Sequence, residues 1–256
     1  MMTVLENHEL IAKISSHGAE LHSLYDKTTK TEYIWQGDKT YWPWHAPICF
    51  PITGRVHNDE YIFEDKKYML TVHGFARDYE FSLLKKTENS VIYELIYNDE
   101  SLKVYPFKFS LQLEYVLLED GLKVNYTVKN LEDANKDIFF ALGLHTAYNC
   151  PLEKTDDFED YELIFEQKET AKRHFLTNGI INNETEDILN NENTLAISKK
   201  LFEKDLILLK QIKSKCITLK SKKSGKFVKV YFNNFNNVGF WTKPQGADRK
   251  SVVEGK

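Results

Sequence analysis

The sequence predicts an all-β protein built of antiparallel strands, closed or stacked into a barrel or a large sandwich. Three observations carry this. Apolar residues recur at every second position in several short segments, the spacing that puts them on one face of a strand. No ten-residue stretch has an apolar period of comparable strength at helical spacing. Finally, 256 residues with 42% apolar content suffice for one large core, and antiparallel strands in such a chain must hide their edges by closing or stacking.

In chain order, Leu10 to Ile14 is the first alternating segment. The run Pro47-Ile-Cys-Phe-Pro-Ile-Thr-Gly-Arg55 is apolar but broken by Pro47, Pro51 and Gly54, so it cannot propagate as a helix and Arg55 is expected where the backbone leaves a packed strand. Tyr68 to Val72 reads as a strand that delivers His73 just before a tight turn at Gly74. Val91 to Tyr97 alternates. From Lys108 to Leu117, Phe109, Leu111, Leu113, Tyr115 and Leu117 share one face; after a turn at Glu119-Asp120-Gly121 the alternation resumes at Leu122, Val124, Tyr126 and Val128. That pair is a hairpin with one buried face. Asn178 to Asn193 is rich in asparagine and acid and reads as a surface connection, with one helical turn at Asp187 to Leu189. Cys216 to Leu219 and Phe227 to Phe232 complete the strands.

Thirty-four basic against 38 acidic residues leave a net charge of −4, so neither a nucleic acid nor an anionic membrane is expected as partner. A neutral or mildly polar small molecule fits better. No segment holds eighteen uninterrupted apolar residues, which excludes a membrane helix, and the first residues lack the basic head and apolar stretch of an export signal. Cys49, Cys150 and Cys216 are far apart with no Cys-x-x-Cys, the usage of a reduced, cytoplasmic protein rather than of a disulfide framework or zinc knuckle. With no internal repeat and no linker, residues 1–256 are expected to form one domain, as a monomer or weak homodimer.

Arg55, His73 and His145 are the candidate functional residues. Arginine is a fixed, fork-shaped donor, and histidine gives or takes a proton near neutral pH. His145 ends the apolar run Phe139-Phe-Ala-Leu-Gly-Leu-His145, where an unpartnered imidazole would cost about 1–3 kcal/mol. Trp35, Tyr41, Trp42 and Trp44 crowd one short segment; they serve core or loop packing, with Trp44 and His45 placed to border a pocket. His8, His17, His22, His57 and His174 lie in polar surroundings and are read as surface residues.

Gly-Ala-Glu at 18–20, Tyr-Ile-Trp at 33–35, Ala-Pro-Ile-Cys-Phe-Pro-Ile-Thr-Gly-Arg at 46–55, His-Gly-Phe-Ala-Arg-Asp at 73–78, Gly-Leu-His at 143–145 and Val-Gly-Phe-Trp-Thr-Lys-Pro at 238–244 resemble, in order along nearly the whole chain, the aldose 1-epimerases. The spellings are those of the bacterial-type branch associated with lactose and galactose operons. The resemblance implies the large twisted β supersandwich of galactose mutarotases. It also implies an isomerase that interconverts the α and β anomers of a sugar by ring opening, which needs an acid for the ring oxygen and a base for the anomeric hydroxyl but no metal or cofactor. By this resemblance His145 is the acid, Arg55 and His73 bind hydroxyls and ring oxygen, with His73 also counted in the catalytic set, and Asp205 grips hydroxyls. Thr146 departs from the proline many relatives carry there. The base is expected in an apolar-Glu-Pro-Trp context shortly after Trp-x-Lys-Pro; here Val252-Val253-Glu254 imitates it one residue late, making Glu254 the candidate. Asp248 to Lys256 also matches what a translated sequencing adapter yields, so the chain is expected to be truncated or altered after about residue 247. Three readings stay open: a free-hexose epimerase, a hexose-6-phosphate epimerase, and a sugar-binding or sensing protein without turnover.

Overall fold

A computed structural model describes residues 1–133 and 135–243 with their side chains, and the backbone of 251–255. It divides into two compact units, Met1–Lys30 with His45–Leu144, and Thr31–Trp44 with His145–Lys256. Strands dominate both, and the α-helix of the described residues is the six-residue segment Asp99–Val104.

In the first unit, Met2–Glu6, Leu10–Ser15 and Leu21–Asp26 form an antiparallel sheet in chain order. A second antiparallel sheet runs Leu122–Asn130, Phe109–Leu117, Ser90–Ile96, Ser82–Lys86. The hairpin forms in the expected register, with Leu117 opposite Leu122 and the Leu118 N–H donating to the Gly121 carbonyl at 2.8 Å. Phe109, Leu111, Leu113, Tyr115 and Leu117 are all buried, whereas the partner strand is only half-buried on its inner face because it is the sheet edge. The inner faces meet: Thr3 Oγ1 and Tyr93 OH share a hydrogen bond at 2.7 Å, and Tyr115 OH donates to the Ala19 carbonyl at 2.7 Å. Buried polar groups therefore cross the sandwich paired, as burial requires. Two further details depart from the sequence reading. The strand expected over 68–72 is Lys66–Met69, and beyond it the chain enters a turn in which the Gly74 N–H donates to the Thr71 carbonyl at 2.9 Å. The Pro47–Arg55 run contributes only Ile48–Cys49, paired with Gly143–Leu144.

The second unit holds an antiparallel sheet in the order Phe227–Tyr231, Cys216–Ser221, Tyr161–Thr177, Ile207–Lys210, Asn237–Trp241, Ser251–Gly255 and the strand that continues through His145–Tyr148. Its core gathers Phe158, Tyr161, Phe165, Phe202, Leu209, Leu219 and Phe240. Here the sequence reading is corrected. Residues 178–193 are no surface connection with a helical turn: Ile180–Ala196 is a strand paired antiparallel with Tyr161–Thr177. Of its residues, only Leu189 is buried. A strand exposed on both faces needs no apolar alternation, only a backbone ladder, and the polar composition hid it. The turn was legible, since Asn178-Gly179 takes φ of 53° and 80° between the paired Thr177 and Ile180, the two-residue hairpin for which Asn-Gly is the strongest signal. The three cysteines are free and buried, and no helix among the described residues is long and apolar enough to cross a membrane.

Candidate active site

In the first unit, Arg55 and His73 are brought together by one loop pair. The His73 N–H donates to the Gly54 carbonyl at 2.7 Å, and the His73 carbonyl accepts from the Phe50 N–H at 3.1 Å. The Gly54 N–H donates to His73 Nδ1 at 3.1 Å. That bond fixes the tautomer: Nδ1 accepts, so the ring proton sits on Nε2 and the imidazole is a neutral donor. His73 is held in the left-handed region at φ 65° and Gly74 follows at 71°. A Cβ at Gly74 would lie 2.2 Å from the Phe50 carbonyl oxygen, which accepts from the N–H groups of Phe75 and Ala76. Only glycine lets these two backbones approach. Arg55, next to Gly54, is exposed and its Nε lies 3.0 Å from Asp59 Oδ1, an ion pair of modest worth that a ligand can displace.

In the second unit, His145 lies in the strand Gly143–Tyr148 and is only 9% exposed. Its ring lies 4.9 Å from that of Trp42 with the planes 30° apart. The loop carrying Trp42 is tied to the same strand. The Trp35 N–H donates to the Ala147 carbonyl at 2.9 Å, Trp35 Nε1 donates to the Trp42 carbonyl at 2.9 Å, and Asn149 Nδ2 donates to the carbonyls of Glu32 and Ile34. Tyr41, Trp42 and Trp241 pack against the buried pair Trp35 and Ala147. The aromatic crowd is thus the support of His145, with Trp42 rather than Trp44 against the imidazole; Trp44 meets Trp42 edge-on at 5.6 Å. Three residues along from His145, burial pushes the Tyr148 phenol up to about 12 despite a hydrogen bond from Thr146.

Asp205 belongs to the same unit, and its carboxylate is aimed by Trp241, whose Nε1 donates to Oδ1 at 2.8 Å. The Asp205 backbone is left-handed, φ 69°, and one side chain holds that loop. Arg173, 2% exposed, donates from Nε to the Leu206 carbonyl at 3.0 Å, from Nη1 to Leu201 at 3.0 Å and from Nη2 to Asp205 at 2.8 Å. Burial pulls its pKa down, against the attraction of Glu186 and Asp205. Neither Arg173 nor Trp241 was identified from sequence in these roles, since both depend on residues some thirty positions away. The side chain of Glu254 lies outside the described residues; its backbone is in Ser251–Gly255, opposite Gly239.

His22 departs from its expected surface position. It is half-buried, and its Nε2 lies 3.1 Å from Glu20 Oε2, a carboxylate whose other oxygen accepts from the backbone N–H groups of His45 at 2.7 Å and Ala46 at 2.9 Å. Burial raises the Glu20 pKa, but the facing imidazoles of His22 and His45 and these two N–H groups outweigh it and hold the group at about 2.

Comparison with known proteins identifies the family of the chain. The sequence model of a family described as aldose 1-epimerase matches residues 1–253. The chromosomally encoded protein LacX of Lactococcus lactis subsp. lactis is 36% identical over 250 residues, 94% of this chain and 83% of that protein. Among solved structures, the galactose mutarotase related enzyme of Lactobacillus acidophilus superposes with a TM-score of 0.93 at 31% identity, covering 100% of this chain and 85% of that one. A galactose mutarotase-like protein of Lactobacillus casei ATCC 334 gives 0.91 at 35% identity, covering 100% and 87%.

Proposed function

Because the chain belongs to the aldose 1-epimerase family, we propose that it is an isomerase that interconverts the α and β anomers of a free hexose. The observation that carries this reading is His145, a buried imidazole at the end of Gly-Leu-His, braced by Trp42 in a loop bonded to its own strand. His145 protonates the ring oxygen as the bond from C1 to O5 breaks, a carboxylate takes the proton of the anomeric hydroxyl, and the open-chain aldehyde rotates about its C1–C2 bond. Reclosure on the other carbonyl face runs both transfers in reverse. Glu254 is the carboxylate assigned to the base. Arg55 and the Nε2–H of His73 are assigned as hydrogen-bond donors to sugar oxygens, and Asp205, aimed by Trp241, as an acceptor from hydroxyls.

A 6-phosphate would call for cations at the pocket rim, for which Lys39, Arg77 and Arg173 are the sequence candidates; the free sugar is favoured because two of the three are used within the fold. Arg173 is spent on three carbonyls, and Arg77 donates to the Val72 carbonyl at 3.1 Å with its side chain largely covered. Polarimetry or NMR exchange on freshly dissolved α-galactose and α-glucose, with glucose 6-phosphate alongside, tests the reading. His145→Ala should slow catalysed mutarotation by about 10²–10⁴-fold. Equal rates for the two proteins would remove the acid, and no rate above the buffer blank for any sugar would favour a binding protein without turnover. The predicted setting is the cytoplasm.

A further inference from the structure

The cluster of Glu20, His22 and His45 is used by none of the sugar chemistry, and we propose that it is a binding site for a zinc-class divalent transition-metal ion. One ligand atom from each residue lies within 4.8 Å of the other two. His22 Nε2 is 3.1 Å and His45 Nδ1 3.8 Å from Glu20 Oε2. Bonds of about 2.0–2.1 Å in tetrahedral array hold neighbouring donors roughly 3.3–3.5 Å apart. The two measured separations bracket that range.

Two features make this a built site rather than a chance meeting of polar groups. The carboxylate is aimed from behind: Oε1 is occupied by the backbone N–H groups of His45 and Ala46, leaving Oε2 to the imidazoles. Such outer bonds are what orient metal ligands. Second, His45 Nδ1 is buried with no hydrogen-bond partner among the described residues, an uncompensated polar atom pointing to something that binds it. The rings of His22 and His45 are stacked, 3.9 Å between centroids and 13° between planes. Two nitrogens and one carboxylate oxygen form a borderline donor set suited to zinc and its neighbours rather than to magnesium or calcium, which favour oxygen.

The test uses the full chain without an affinity tag, stripped with a chelator and titrated with Co²⁺, then Zn²⁺. The expected result is a visible ligand-field band that saturates at one Co²⁺ per chain and is bleached by one equivalent of Zn²⁺. His22→Gln and His45→Gln, checked for folding by circular dichroism, should each weaken binding roughly tenfold or more. The absence of a saturable band in the wild-type protein would overturn the proposal without reference to any variant. So would a band that survives unchanged in both substitutions, since the ion would then sit elsewhere.

Discussion

Replacing Glu20 by glutamine should change how stability responds to acid, by an amount that follows from its surroundings. Glu20 is 8% exposed and keeps its negative charge because the His22 and His45 imidazoles and two backbone N–H groups face it. Its folded pKa of about 2 lies below the ordinary 4.5. A depressed carboxylate pKa contributes stability that is fully present above the unfolded value and is lost as pH falls through the folded one. The window is therefore pH 4.5 down to about 2. At 1.36 kcal/mol for each pH unit, the gap is worth about 3 kcal/mol. Urea unfolding of wild type and Glu20→Gln, both with chelator present, should show the stability difference shrinking by about 3 kcal/mol as pH falls from 5 toward 2. Other carboxylates titrate alike in the two proteins and cancel. Parallel curves over the whole window would refute the assignment of the charge to this pocket.

Three other substitutions have defined outcomes. Gly74→Ala forces a left-handed alanine and sets its Cβ against the Phe50 carbonyl; the conformation alone costs about 1–2 kcal/mol, so denaturant unfolding should register at least about 2 kcal/mol, and a loss under about 0.5 would contradict the close approach. Arg173→Met strips the carbonyls of Leu201, Asp205 and Leu206 of their shared donor. A loss of about 2–4 kcal/mol is expected, not rescued by Arg173→Lys, whose single ammonium cannot replace the fork; rescue by lysine would show that charge, not geometry, holds the loop. Trp42→Ala removes the ring lying against His145. Contacts of this kind are worth about 0.5–1.5 kcal/mol, so mutarotation should fall roughly two- to tenfold in kcat/KM, with Trp42→Phe recovering most of it and an unchanged rate sinking the bracing role.

The residues that sequence reading placed well are those whose environment is set by near neighbours. Phe109, Leu111, Leu113, Tyr115 and Leu117 announce a buried strand face because the two-residue period is local, and Glu119-Asp120-Gly121 announces the turn for the same reason. The ordered motifs ending in Arg55, His73 and His145 were enough to point to an all-β galactose mutarotase-like fold, and the solved relatives share it. The burial of His145 followed from the apolar run before it.

What the sequence could not supply depends on partners distant along the chain. Ile180–Ala196 carries no apolar period because its ladder to Tyr161–Thr177 is made by backbone alone. The role of Arg173 depends on three carbonyls at 201–206 around its guanidinium, and the aim of the Asp205 carboxylate depends on Trp241 donating to it. His22 read as a surface histidine because its immediate neighbours are mixed, yet Glu20 and His45 make it part of a three-donor cluster. The physical reason is the same throughout. Periodicity and turn chemistry are short-range and are written in consecutive residues, whereas a guanidinium, an indole or an imidazole acquires its role from whichever groups chain folding brings within about 3 Å of it.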